Sequence, residues 1–271
     1  MDLFQTIIIA IVEGLTEFLP VSSTGHMIIT QHLLGVEQGN PFVHAFTFII
    51  QFGAILSVVC LYWKKFFSFK PEMWKLYGLL IIGVLPVVVV GLAAKRSGLL
   101  DWLLDSIWVV AITLVVGGIF MLFCDNIFNK GKEENEVTPK RAFLIGLFQC
   151  LSVIPGMSRS MSTIVGGMAN KLTRKNAAEF SFFLAVPTMA GATILDVHDM
   201  MNENVDWATS NNLFLLGIGC VVSFVVALFA MKWFVNVLTK YGFKAFGWYR
   251  IIVGIILLVM LLSRVSLNMV D

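Results

Sequence analysis

The run EGLTEFLPVSSTGH, residues 13–26, concentrates reactive side chains inside a strongly apolar chain. Glu13 and Glu17 are spaced i, i+4, so on a helix they share one face about a turn apart, where they repel unless a cation or an arginine lies between them. After Pro20, the residues Ser22, Ser23, Thr24 and Gly25 suit a turn that starts a second short helix and offers its first N–H groups to an anion. His26 follows one turn from the hydroxyls, within reach for proton transfer. A second run, PGMSRSMST at 155–163, adds Arg159, whose planar guanidinium matches phosphate oxygens. Ser158, Ser160 and Thr163 supply donors around it.

Carboxylates, a hydroxyl nucleophile, an imidazole and an arginine together suit phosphoryl chemistry on a substrate whose remainder lies in lipid. Plainer readings stand beside this one. The glutamates are also compatible with a solvated helix end, Ser22 with a simple cap, His26 with a satisfied interior histidine, and Arg159 with a structural pair to Glu13 or Glu17.

These runs must be positioned by apolar elements, because the 271 residues are 58% hydrophobic and only 13% charged, with mean hydropathy +0.87. Five blocks approach or reach the roughly 20 residues that cross a hydrocarbon core: Phe42 to Trp63, Leu76 to Ala94, Ser106 to Cys124, Leu213 to Met231 and Ala245 to Leu262. A sixth, Ala177 to Leu195, is long enough although Pro187 interrupts it. No Lys or Arg precedes residue 64, so the first helices are expected to belong to the mature fold rather than to a cleaved signal. Cys60, Cys124, Cys150 and Cys220 stand singly in apolar blocks and are expected to be buried thiols. The net charge of +2 is spread too thinly for a nucleic-acid partner.

Basic residues orient the spans. Four lie in Lys64–Lys75, four in 125–141, three in Lys171–Lys175 and three in Lys232–Lys244, against Lys95, Arg96 and Arg264 in the other connections. This asymmetry threads six spans only if segments 2–35 and 142–170 do not cross. Each is an apolar helix broken by a proline, Pro20 or Pro155, followed by a second short helix, as in a re-entrant hairpin. The two prolines are 135 residues apart, and AFTFIIQFGAI pairs with SFFLAVPTMAGA at nearly the same offset. The expected architecture is an all-α integral membrane protein: one membrane domain of two inverted-topology repeats, about 1–124 and about 140–262, with six transmembrane helices and two re-entrant helical hairpins.

EGLTEFLPVSSTGH and PGMSRSMST resemble the two signature motifs of the bacitracin-resistance type undecaprenyl-diphosphate phosphatases, and the likeness extends to FIIQFGAI and EFSFFLAVPTMAGATILD. The resemblance implies a multi-pass enzyme of the bacterial inner membrane whose site faces outward. Its expected substrate is the lipid undecaprenyl diphosphate, hydrolysed to undecaprenyl phosphate and phosphate, which recycles the carrier for peptidoglycan and confers bacitracin resistance. It places Glu17, His26 and Arg159 on positions the family requires and Ser23 on the proposed nucleophile, with Glu13, Ser22, Thr24, Ser158 and Thr163 around it. It also implies a divalent cation, Mg²⁺ or Ca²⁺, for which Glu13 and Glu17 are the natural oxygen ligands. Met161 stands where the family usually has glycine.

The expected chemistry is attack by Ser23 on the terminal phosphorus, with His26 or Glu17 as base, or attack by water that His26 activates. A lipid or ion transporter shares the inverted-repeat architecture and is the rival of another class. A passive bacitracin-binding scaffold is a third reading, which leaves the buried arginine and paired carboxylates without a use. The sequence does not fix an oligomeric state, and a homodimer is compatible with it.

Overall fold

A computed structural model describes residues 1–37, 40–104, 106–128, 131–202 and 208–263. These form twelve α-helices: α1 Leu3–Thr16, α2 Ser23–Leu33, α3 Pro41–Leu61, α4 Trp63–Phe66, α5 Pro71–Arg96, α6 Leu99–Leu104, α7 Ile107–Phe128, α8 Pro139–Gln149, α9 Arg159–Ala169, α10 Arg174–Asn202, α11 Ser210–Tyr241 and α12 Lys244–Leu262. No strand occurs among the described residues. The protein is an all-α membrane protein whose helices α3, α5, α7, α10, α11 and α12 are long and apolar enough to cross a bilayer. They overlap the six blocks expected from hydropathy. Lys130 and Arg264 of the charge count lie outside the described residues.

The starts of several helices are written locally. Asp2 and Gln5 form a capping box at α1. Asn40 and Thr138 cap α3 and α8, each followed by proline at the first helical position. The breaks are equally local. Helix α1 ends ahead of Pro20, and α8 passes through a 3₁₀ turn at Cys150–Val153 before Pro155. Each break delivers the chain into a second short helix, α2 or α9, and neither partner in a pair is long enough to cross alone.

Small residues let the helices approach closely. A methyl on Gly118 would stand 2.8 Å from the Gly247 carbonyl oxygen, so α7 and α12 touch through backbone there. Outward-facing apolar side chains such as Val89, Ile112, Phe229 and Ile252 are exposed in the isolated chain, as a bilayer-facing surface requires.

Two sequence expectations change. Helix α10 runs on to Asn202, past Asp196 and Asp199, where an acidic connection was expected to begin. Hydropathy marks where lipid would be favourable, whereas a helix continues as long as its hydrogen bonds do. Of the four cysteines only Cys124 is fully buried, while Cys60 is exposed and Cys150 and Cys220 are intermediate. An apolar block puts a residue in a spanning helix without saying whether it faces protein or lipid.

Candidate active site

The first residue of each second half-helix is aimed by an unusual backbone turn. Ser22 and Ser158, which directly precede α2 and α9, adopt φ 70 with ψ 101 and φ 67 with ψ 114. Non-glycine residues avoid this region, and holding one there costs about 1–3 kcal/mol. The two serines are 136 residues apart, one more than the prolines. On that register Ser23 and Arg159 occupy equivalent places, and the structure brings both to one carboxylate.

That carboxylate is Glu17, at the C-terminal end of α1. The Ser23 hydroxyl donates to Glu17 Oε2 at 2.8 Å, and Arg159 Nη2 donates to Glu17 Oε1 at 3.1 Å. Side-chain exposure is only 11% for Arg159 and 8% for Glu17, so this is a charge-assisted contact away from bulk water. Arg159 also donates to the Ser181 carbonyl at 3.2 Å and lies over the Phe18 ring at 5.7 Å. Its Nε is buried with no partner, leaving an unused donor. Ser181 thus joins the site from α10; the repeat and the family likeness reached its segment without singling out this residue.

Glu13 is fully buried, and neither of its carboxylate oxygens has a hydrogen-bond partner. An ionised carboxylate in that state is strongly disfavoured unless a cation or proton compensates it. Among the described residues no three His, Cys, Asp or Glu side chains cluster. The unpartnered Glu13 and neighbouring Glu17 nevertheless offer carboxylate oxygens of the kind that would suit a hard divalent cation.

The remaining expected residues divide. The Ser22 side chain makes no capping bond, but its carbonyl lies 2.7 Å from His26 Nδ1. The Thr24 hydroxyl is half-buried, beside Ser23 in the first turn of α2. Ser158 caps α9 by accepting from the Met161 N–H at 3.3 Å, so methionine at this position leaves the turn intact and buries its side chain in the core. Ser160 and Thr163 are turned inward. Ser160 donates to the Leu19 carbonyl at 2.8 Å, tying the second turn to the first, and Thr163 meets the Ser181 hydroxyl at 2.6 Å. Both are fully buried, an arrangement of support rather than of open donors.

His26 does not face Ser23's proton. Its Nε2 lies 2.7 Å from the Tyr249 hydroxyl on α12, with the two rings stacked at 5.4 Å. The adjacent Arg250 is wholly buried and donates only to carbonyls: Gly156 at 2.8 Å, Thr113 at 3.0 Å, Pro20 and Met157 at 3.3 Å, and Leu114 at 3.4 Å. It therefore clamps both broken turns to α7. Gly117 makes room, since a methyl there would stand 2.5 Å from Arg250 Nη2. Neither Tyr249 nor Arg250 was singled out from the sequence, although an arginine inside an apolar span was a usable signal.

A cavity of about 850 Å³ is lined by Trp63, Lys75, Glu136 and Phe183 among others, and by none of the site residues above. It belongs to the basic end of the helices and not to this constellation.

The family described as Bacitracin resistance protein BacA matches residues 6–256. The chain is 51% identical to an undecaprenyl-diphosphatase of Porphyromonas gingivalis (strain ATCC 33277), over 98% of this chain and 99% of the relative. It is 50% identical to one from Flavobacterium psychrophilum, over 95% of each chain. An undecaprenyl-diphosphatase of Bdellovibrio bacteriovorus is 43% identical over the whole of both chains.

Proposed function

The chain belongs to the bacitracin resistance protein BacA family, and from that membership we propose that it hydrolyses undecaprenyl diphosphate to undecaprenyl phosphate and phosphate. Its physiological role is then carrier recycling for peptidoglycan, with bacitracin resistance as a consequence. The observation that supports this chemistry best is the chain of contacts Ser23–Glu17–Arg159, which joins a hydroxyl, a carboxylate and a guanidinium from both broken turns.

Ser23 is the nucleophile and Glu17 its base, since the Ser23 hydroxyl already donates to Glu17. The Ser23 oxygen bonds to the terminal phosphorus as the anhydride P–O bond breaks and undecaprenyl phosphate leaves. Water then cleaves the phosphoserine, releasing phosphate and restoring the hydroxyl. Arg159 offers its unpartnered Nε to the phosphate oxygens while Nη2 stays on Glu17, and so offsets charge during transfer. Glu13 and Glu17 would hold a divalent cation, which when bound supplies charge neutralisation at the diphosphate. Direct attack by water activated through His26 is less favoured, because both ring nitrogens already have partners.

The helix pairs α1–α2 and α8–α9 are re-entrant hairpins, the first entering from the outer face of the bacterial inner membrane and the second from the cytoplasmic face. The two halves form an inverted-topology repeat. Supporting this are the strained serines at matching places and the basic residues between α3 and α5 and between α7 and α8, which put those connections on the cytoplasmic side. The site then opens outward.

Phosphate release from undecaprenyl diphosphate by purified protein in detergent with Mg²⁺ tests the reading, comparing wild type with Glu17→Ala and Arg159→Ala. Release by wild type that both folded variants lose is expected. Lipid binding without release by any sample would favour a transporter.

A further inference from the structure

The hydrogen bonds of His26 fix its tautomer. Nδ1 lies 2.7 Å from the Ser22 carbonyl oxygen, which can only accept, so Nδ1 carries the proton. In a neutral ring Nε2 then holds the lone pair, and the Tyr249 hydroxyl, 2.7 Å away, must be the donor. The rings lie 11° from parallel, so stacking and hydrogen bond together define the orientation of the imidazole. Tyr249 is itself held in place, because Arg250 on the same helix grips carbonyls from both broken turns. Any movement of α12 against the turns therefore changes what reaches Nε2.

We infer that Tyr249 is a positioning residue of the phosphatase, which orients His26 through a phenol-to-Nε2 hydrogen bond and, through His26 Nδ1 on the Ser22 carbonyl, holds the turn that aims Ser23. The inference rests on the phosphatase reading proposed above. It gives α12 a part in the reaction: Arg250 sets the distance between helix and turns, Tyr249 transmits it to His26, and Ser23 is left to Glu17 as its base. With the hydroxyl in place, the imidazole has one defined orientation; without it, only the Ser22 carbonyl and the stacked ring direct it.

Tyr249→Phe keeps the stacked ring and removes only the hydroxyl. The full-length protein in detergent, labelled with ¹⁵N-histidine and assigned by comparison with His26→Gln, reports the bond directly. The expected result is an Nε2 resonance that moves toward that of an unbonded lone pair in Tyr249→Phe while Nδ1 stays protonated. In parallel, kcat for phosphate release should fall about tenfold with KM unchanged, because a less well-aimed Ser23 reaches the attacking geometry less often. The same substitution in the His26→Gln background should have no further effect on any residual rate, because Tyr249 acts through His26. An Nε2 resonance identical in wild type and Tyr249→Phe overturns the inference, as does a shifted resonance with unchanged kcat. If wild type releases no phosphate while the resonance still moves, the phosphatase reading fails and takes the role with it, leaving only the bond.

Discussion

Replacing Glu17 with glutamine alters one atom of the side chain and isolates its charge. Glu17 and Arg159 are 3.1 Å apart with exposures of 8% and 11%, so the arginine gains little from solvent when the carboxylate is neutralised. It keeps the Ser181 carbonyl and a contact to the Met189 sulfur, and its Nε has no partner already. Removing one member of a buried pair costs about 3–5 kcal/mol. Glutamine's oxygen still accepts one hydrogen bond, so Glu17→Gln should lose about 3 kcal/mol, at the low end of that range. Combining it with Arg159→Met removes both charges and should recover about 2 kcal/mol of the loss, because a neutral, packed pair carries no desolvation penalty. Activity should not follow, since Ser23 has lost its base; phosphate release is expected to fall by about 10²–10⁴ in the single and the double variant. Unfolding in one detergent, measured beside phosphate release with Mg²⁺, separates the two quantities. A single variant as stable as wild type, or a double variant that regains activity along with stability, refutes the reasoning.

Arg250→Leu withdraws every donor from the Pro20, Gly156 and Met157 carbonyls and should destabilise the protein by about 3 kcal/mol or more, read by unfolding in detergent; a loss under about 1 kcal/mol would contradict the clamp. Ser22→Gly should stabilise by about 1 kcal/mol, since glycine adopts φ 70 freely and Ser22 makes no capping bond, whereas Ser158→Gly should gain less because it forfeits the bond to the Met161 N–H. Glu13→Gln should raise the Mg²⁺ concentration for half-maximal activity by about tenfold or more; an unchanged Mg²⁺ dependence would remove Glu13 from the cation site.

The polar cluster was legible because Glu13, Glu17, His26 and Arg159 are chemically out of place in an apolar chain, and their types alone narrowed the chemistry. Their pairings were not. Arg159 was left open between Glu13 and Glu17, because residues 142 apart meet only through packing. Ser23 was left open between Glu17 and His26, both close in sequence, because the strained turn at Ser22 decides which of them its hydroxyl faces. Aligning the halves on their prolines also put Ser23 opposite Ser158, whereas the strained backbone puts Ser22 there. Ser160 and Thr163 read as donors for a ligand, but each found a partner inside the protein that sequence proximity does not reveal.

By itself, then, the sequence determined the six spanning helices, the breaks at Pro20 and Pro155 and the inventory of reactive groups, because hydropathy, proline sterics and residue chemistry act locally. Tertiary structure alone decided that Glu17 joins Ser23 to Arg159, that Glu13 is left without a partner, and that Tyr249 and Arg250 bring α12 to the turns. Those outcomes depend on close helix approach at residues such as Gly117 and Gly118, and which groups then meet is set by the packing of distant segments rather than by any property of the segments alone.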